Sequence, residues 1–181
     1  MSIAIRKPRE SDAYPVAQVE IDVWRDTYPT LLPAEYLVDR LDIVRVSALW
    51  ARRLQDLNFR QCCRLAVSTD GNIVGFITFG KTRDPDPDLP SDGEIYEVYV
   101  LADFQNQGLG RELCRVAAGC LRREGARSMT VEVLEGNPAR FFYEALGGRI
   151  ARRKNRPFAG LRLPSLIYVW ENIAALVSEG N

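Results

Sequence analysis

Glu94 to Leu121 reads EIYEVYVLADFQNQGLGRELCRVAAGCL, and the fold is decided in these 28 residues. The stretch opens by alternating, with Ile95, Glu97 and Tyr99 set against Tyr96, Val98 and Val100. Period two with β-branched and aromatic residues predicts a strand. It closes with Leu109, Leu113, Val116, Ala117, Cys120 and Leu121 on one face of period 3.6, which predicts a helix. Between the two lies Gln105-Asn106-Gln107-Gly108-Leu109-Gly110, with both glycines where the helix starts. The first N–H groups of a helix lack intrahelical partners and carry partial positive charge, so this corner suits a phosphate. Glycine there removes the Cβ atoms that would hold a ligand off the backbone.

Spacing decides which phosphate ligand. A P-loop needs Lys and Ser or Thr after its second glycine, and a dinucleotide fingerprint needs a third glycine at position 113, which is Leu113. Gln105-x-x-Gly108-x-Gly110 after a Val-x-Val strand end instead resembles the acetyl-CoA signature of the GCN5-related N-acetyltransferase (GNAT) family. A second match follows about 30 residues on. Glu132-Val133, then Asn137-x-Ala139-x-x-Phe142-Tyr143-x-x-Leu146-Gly147, is similar to the family's other signature. Here Ala comes one position early and Arg149 stands where Phe is common, departures that touch packing more than chemistry. The resemblance covers Gln61 to Trp170. The opening helices, with Trp24-Arg25-x-Thr27-Tyr28 and Leu31-Leu32-Pro33, look like those of members whose acceptors vary.

The rest of the chain sets bounds. Its 181 residues suit one domain with a substantial core. Lys plus Arg and Asp plus Glu total 24 each, so no global basic character points to nucleic acid, and no membrane partner is expected. No apolar run of spanning length and no leader pattern is read, so the expectation is a soluble, cytoplasmic chain. The four cysteines have neither metal-site nor disulfide spacing and read as small buried residues. The chain has no histidine, so acid–base chemistry falls to carboxylate, tyrosine, cysteine, lysine or water, and no metal is expected.

Taken in order, Ser2 to Arg6 is a short strand, and Ser11 caps a helix over Asp12 to Asp26. Helices follow at Ala34 to Arg40 and at Ile43 to Asp56, the latter capped by Asp42. Gln61 to Ser68 and Asn72 to Lys81 are strands joined through Asp70-Gly71. Arg83 to Gly93 carries three prolines and four aspartates and is a loop, either a solvated linker or a negative patch that would attract a cationic amine. Arg127 to Leu134 is a strand, and Asn137 caps a short helix ending at Gly147-Gly148. A basic strand, Arg149 to Lys154, an irregular link and an apolar strand, Leu163 to Trp170, complete the sheet, before a last helical turn over Glu171 to Ser178.

The expected fold is a single α/β (α+β) domain over residues 1–181. It has a mixed, mostly antiparallel twisted sheet with helices on both faces. Residues 1–60 form a helical cap on the acceptor side and 61–170 an acetyl-CoA-binding core. The resemblance implies acetyl transfer from acetyl-CoA to a primary amine of a small molecule or peptide, by direct attack on the thioester. It makes Tyr143 the proton donor to the departing thiolate, and Glu132 or Glu94 the base, unless an ordered water serves. Side chains alternate along a strand, so Glu94 and Glu97 are expected on opposite faces. Val98 and Val100 would pair with the pantetheine amides, and the Val98 N–H would polarise the thioester carbonyl. Gln105, Gln107, Gly108, Leu109, Gly110 and Arg111 would cradle the pyrophosphate, and Asn137 would hold the pantetheine arm. Tyr28 would wall the acceptor pocket. A non-catalytic acetyl-CoA sensor and a plain partner-binding domain are the alternatives. A homodimer is the base-rate assembly.

Overall fold

The computed structural model of the chain describes residues 3–158 and 160–178. Seven strands hydrogen-bond in the order β1-β2-β3-β4-β5-β7-β6: β1 Ala4–Arg6, β2 Cys63–Val67, β3 Ile73–Lys81, β4 Gly93–Val100, β5 Met129–Leu134, β6 Arg149–Phe158 and β7 Leu161–Trp170. The sheet is mixed, with β4 and β5 parallel and antiparallel pairing at β1/β2, β2/β3, β5/β7 and β6/β7. The helices are α1 Ala13–Thr27, α2 Ala34–Arg40, α3 Ile43–Gln55, α4 Leu57–Gln61, α5 Leu109–Arg123, α6 Ala139–Ala145 and α7 Ala174–Ser178. The chain divides into two compact units.

The first unit comprises Met1–Thr78 and Glu97–Leu113. Its core sets Val16, Ala17, Val19 and Val23 of α1 against Val46, Trp50 and Leu54 of α3 and against Leu65 and Phe76 of the sheet. Trp50 meets Phe76 edge-on at 5.0 Å, and Phe76 meets Tyr99 in the same way at 5.2 Å. The Asp42 cap holds, its carboxylate accepting the N–H groups of Val44 and Arg45 at 2.8 and 3.1 Å. The Asp70-Gly71 turn also forms, with Gly71 at φ +83° and Ser68 N–H on Asn72 O at 2.9 Å.

Two expectations here are corrected. The α1 entrance is fixed by Asp12 rather than Ser11: buried Asp12 accepts Arg9 N–H at 2.6 Å and both terminal nitrogens of Arg6 at 2.6 and 2.8 Å. These charge-assisted bonds anchor the turn that leads into α1. Gln61 ends α4 rather than opening a strand, because Asp56 caps a helical turn by accepting Asn58 N–H at 2.8 Å. Of the first expected strand, Ala4–Arg6 is present, while Ser2 lies outside the described residues.

The second unit comprises Phe79–Tyr96 and Cys114–Asn181. Gly93 to Ile95 run parallel to Met129 to Val131, and β5 pairs along its whole length with β7, from Met129↔Trp170 to Leu134↔Ser165. Met129, Val131 and Val133 with Leu166, Tyr168 and Trp170 form the buried face. Gly93 permits close packing, since a Cβ there would stand 2.8 Å from the Leu121 side chain. Gly125, at φ +95°, closes α5, with its N–H on Arg122 O and Ala126 N–H on Leu121 O.

The expected irregular link after Lys154 is instead strand. β6 and β7 pair continuously from Arg149↔Val169 to Phe158↔Leu161, apart from a bulge between Ile150 and Arg152. Pro157 and Pro164 fall inside these strands. β6 is the edge of the sheet, and Pro164 lies one residue beyond the stretch of β7 paired with β5, so neither proline breaks an inner ladder. β5 starts at Met129 because the N–H groups of Arg127 and Ser128 go to Asp92 Oδ2.

Candidate active site

In the first unit, the loop from β4 to α5 is shaped by its own side chains. Gln105 donates its amide N–H to Val100 O at 2.9 Å, and Gln107 donates to Asp103 O at 2.7 Å. These bonds pin the loop to the strand end and turn the following backbone into the helix. Asn106 and Gly108 adopt φ +58° and +81°, the left-handed region that Asn and Gly enter most cheaply. No heavy atom lies within 4 Å of where a Gly108 Cβ would stand, so the backbone there is open to a ligand. Glu112 N–H closes the first helical turn on Gly108 O at 3.0 Å. Leu109 is buried, Gly110 half-buried and Arg111 exposed. An open glycine corner leading into a 15-residue helix fits the pyrophosphate of a CoA ester.

Also in the first unit, Val98 is half-buried and Val100 buried on β4, and Tyr28 stacks on Trp24 at 4.4 Å. A cavity of about 280 Å³ is walled by Trp24, Tyr36 and Trp50 and carries Glu20, Glu97 and Arg40. Glu97 accepts the Thr78 hydroxyl at 3.0 Å and lies 3.6 Å from Arg53. Glu20 accepts the Trp50 indole N–H at 2.6 Å. Burial pushes the Glu20 carboxyl up, and the charge of Glu97 adds to this. Glu20 is the residue that sequence reading missed. Its signal is a carboxylate at the core spacing of α1, four residues after Val16 and four before Trp24.

In the second unit, Asn137 is buried and its Oδ1 accepts Ala139 N–H at 2.9 Å, the capping role expected of it. Tyr143, on α6, is buried against Phe142, Tyr168 and Trp170, with ring centroids at 5.2, 5.9 and 6.3 Å. Gly148 lets this cluster close, because a Cβ there would meet Trp170 at 2.7 Å and Tyr143 O at 2.9 Å.

Glu94 and Glu132 line one cavity of about 510 Å³ with Thr82, Arg83, Lys154 and Arg156. Glu94 is tightly held: Arg83 donates its backbone N–H at 2.9 Å and its Nε and Nη2 at 3.1 and 2.5 Å. Glu132 accepts the Ser165 hydroxyl at 2.7 Å and stands 3.3 Å from Lys154 Nζ and 3.4 Å from Arg156. Glu132 alternates with the buried Val131 and Val133, so it lies on the sheet face opposite Tyr143.

The aspartates of the acidic loop are already engaged. Asp86 and Asp88 sit 2.8 and 3.3 Å from Arg152, Asp84 is 3.9 Å from Lys154, and Asp92 caps residues 127 and 128. Three of the loop's four aspartates thus lie against cations of the basic strand β6. Cys63, Cys114 and Cys120 are buried, and the Cys63 thiol is pushed up to about 12, chiefly by burial, which leaves it inert as a nucleophile. Among the described residues no group of three His, Cys, Asp or Glu could hold a metal ion, and no helix is long and apolar enough to cross a membrane.

The acetyltransferase (GNAT) family model matches residues 21–148. The chain belongs to that family and is, by class, an acetyl-CoA-dependent N-acetyltransferase. Among curated proteins it is 32% identical over 174 residues to the uncharacterized N-acetyltransferase YuaI of Bacillus subtilis (strain 168), covering 96% of each chain. Among solved structures it resembles a putative GNAT-family acetyltransferase from Desulfovibrio desulfuricans, with TM-score 0.69, 20% identity, and 95% and 99% of the two chains covered. It also resembles YncA, a putative acetyltransferase from Salmonella typhimurium, solved with its cofactor acetyl-CoA, with TM-score 0.65, 18% identity, and 100% and 97% covered.

Proposed function

We propose that this chain moves the acetyl group of acetyl-CoA to a primary amine of a small molecule or peptide by direct attack, with no covalent enzyme intermediate. The observation that carries the reading is the open Gly108 corner at the start of α5, between a pinned loop and a helix N-terminus. The fold shared with a protein solved with acetyl-CoA supports the same donor. Bound acetyl-CoA supplies an activated thioester whose leaving group is a thiolate.

The chain's own residues do the rest. The N–H groups from Gln105 to Arg111, with the Arg111 charge, hold the pyrophosphate. The backbone of Val98 and Val100 and the Asn137 side chain hold the pantetheine arm, and the Val98 N–H draws charge onto the thioester oxygen. Tyr143 gives its hydroxyl proton to the sulfur. The proton of the amine goes to Glu132 or Glu94, or to an ordered water, and both oxygens of Glu94 are bonded by Arg83. Residues 1–60, with Tyr28, select the acceptor, and residues 61–170 carry the donor.

Thiol release with a panel of amines, together with the intact mass of the protein after acetyl-CoA alone, tests this. Release that needs an amine, with an unchanged protein mass, is expected. An added acetyl group on the protein would contradict direct attack, and CoA binding without release for any amine would make the chain a sensor.

A further inference from the structure

The aromatic cavity of the first unit constrains the acceptor more sharply than the acidic loop does. Its lining sets three arginines, Arg40, Arg45 and Arg53, against two carboxylates, Glu20 and Glu97. Glu97 is offset by Arg53 at 3.6 Å and accepts the Thr78 hydroxyl. Glu20 is buried, is bonded to Trp50, and is biased by burial towards its neutral form. Arg40 is built into the wall differently. Its guanidinium lies 5.4 Å from the ring centres of both Trp24 and Tyr36, and its Nε donates to the Tyr36 hydroxyl at 3.1 Å. Stacking and one hydrogen bond hold the plane of the guanidinium, whose remaining N–H groups form a fork matched to a carboxylate. Trp24, Tyr36 and Trp50 add an apolar surface beside it. At about 280 Å³ the space suits a molecule of metabolite size, below the usual drug-sized range.

A polyamine would meet an arginine here, and the aspartates that might have drawn it are paired with Arg152 and Lys154. Resting on the acetyltransferase reading above, we infer that the acceptor is a small amino acid with an apolar body, and that Arg40 binds its carboxylate within the Trp24–Tyr36–Trp50 cavity.

Matched substrates separate the possibilities. Leucine and phenylalanine are compared with isopentylamine and 2-phenylethylamine, which lack only the carboxylate, and with spermidine. The amino acids are expected to show the higher kcat/KM by about tenfold or more, the usual worth of a charged hydrogen bond. Arg40→Gln should raise KM for the amino acids by a similar factor and leave KM for their decarboxylated partners unchanged, while Arg40→Lys should recover part of the loss. Equal or better use of the plain amines or spermidine, or an Arg40→Gln effect common to both sets, overturns the inference and leaves the transferase reading intact. Acetyl-CoA binding with no amino acid acetylated overturns it as well. Failure to bind acetyl-CoA would instead remove the transferase reading itself.

Discussion

Arg83 grips Glu94 at three points, with its backbone N–H on one carboxylate oxygen and its Nε and Nη2 on the other. The same guanidinium lies 4.2 Å from the ring centre of Tyr96. Glu94 is buried while the Arg83 side chain is half exposed, so the arginine acts as a lid over a charge that would otherwise lack compensation. Arg83→Met should lower unfolding stability in urea by about 1–2 kcal/mol, the cost of a stranded carboxylate reduced for solvent screening. Adding Glu94→Gln should restore part of the loss. Full additivity of the two changes would mean the contact contributes nothing.

Tyr143 and Glu132 lie on opposite faces of the sheet in the second unit and are candidates for opposite proton transfers. Tyr143→Phe should lower kcat by about 10²-fold, a usual size for general acid catalysis, with acetyl-CoA affinity nearly unchanged. Whichever of Glu132→Gln and Glu94→Gln lowers kcat comparably marks the base, and no loss in either leaves that role to water. Unchanged turnover in Tyr143→Phe would end its assigned role.

Glu20 makes a pH test of the first unit's core. Its carboxyl is raised in the folded chain by burial, by Glu97 next, and against the pull of Trp50, Arg53 and Arg40. The folded state therefore binds a proton that the unfolded chain releases above its ordinary value of 4.5. Stability from this group is full below that value and declines as pH rises through the raised one. Glu20→Gln keeps an acceptor for the Trp50 N–H and has no charge to lose. Its stability relative to wild type should rise between acidic and neutral pH and level off at low pH. A difference independent of pH would show that Glu20 is not held up.

Gly148→Ala places a methyl group against both the Trp170 ring and the Tyr143 carbonyl. Overpacking against backbone costs about 1–3 kcal/mol. The variant should unfold at lower urea concentration and also lose turnover, because the Tyr143 helix is displaced. Stability equal to wild type would mean the chain turn relaxes freely.

Much of this fold was legible because local and tertiary signals agree. The strand–loop–helix around Gly108 forms as its periodicity demands, and Asp42, Asn137 and Asp70-Gly71 cap and turn the chain as their chemistry suggests. What was missed depended on partners distant in sequence or on choices between neighbours. Ser11 and Asp12 are equally good caps by type, and Arg6 recruits Asp12. Pro157 argues against strand until β6 is known to be an edge. The ion pairs of the acidic loop were not legible, because Arg152 and Lys154 come about 70 residues later in the chain. Glu20 was hidden in plain view, a charge in a helical core stripe whose partner, Trp50, lies 30 residues on.

The melting temperature with acetyl-CoA, CoA, ATP and NAD at matched concentrations tests the central claim most directly. A ligand that binds only the folded state raises it by mass action. A rise with acetyl-CoA and CoA but not with ATP or NAD is predicted, and Gly108→Val should diminish it by crowding the open corner. No rise with either CoA species would reduce the glycine loop to a turn and contradict the proposed cofactor site.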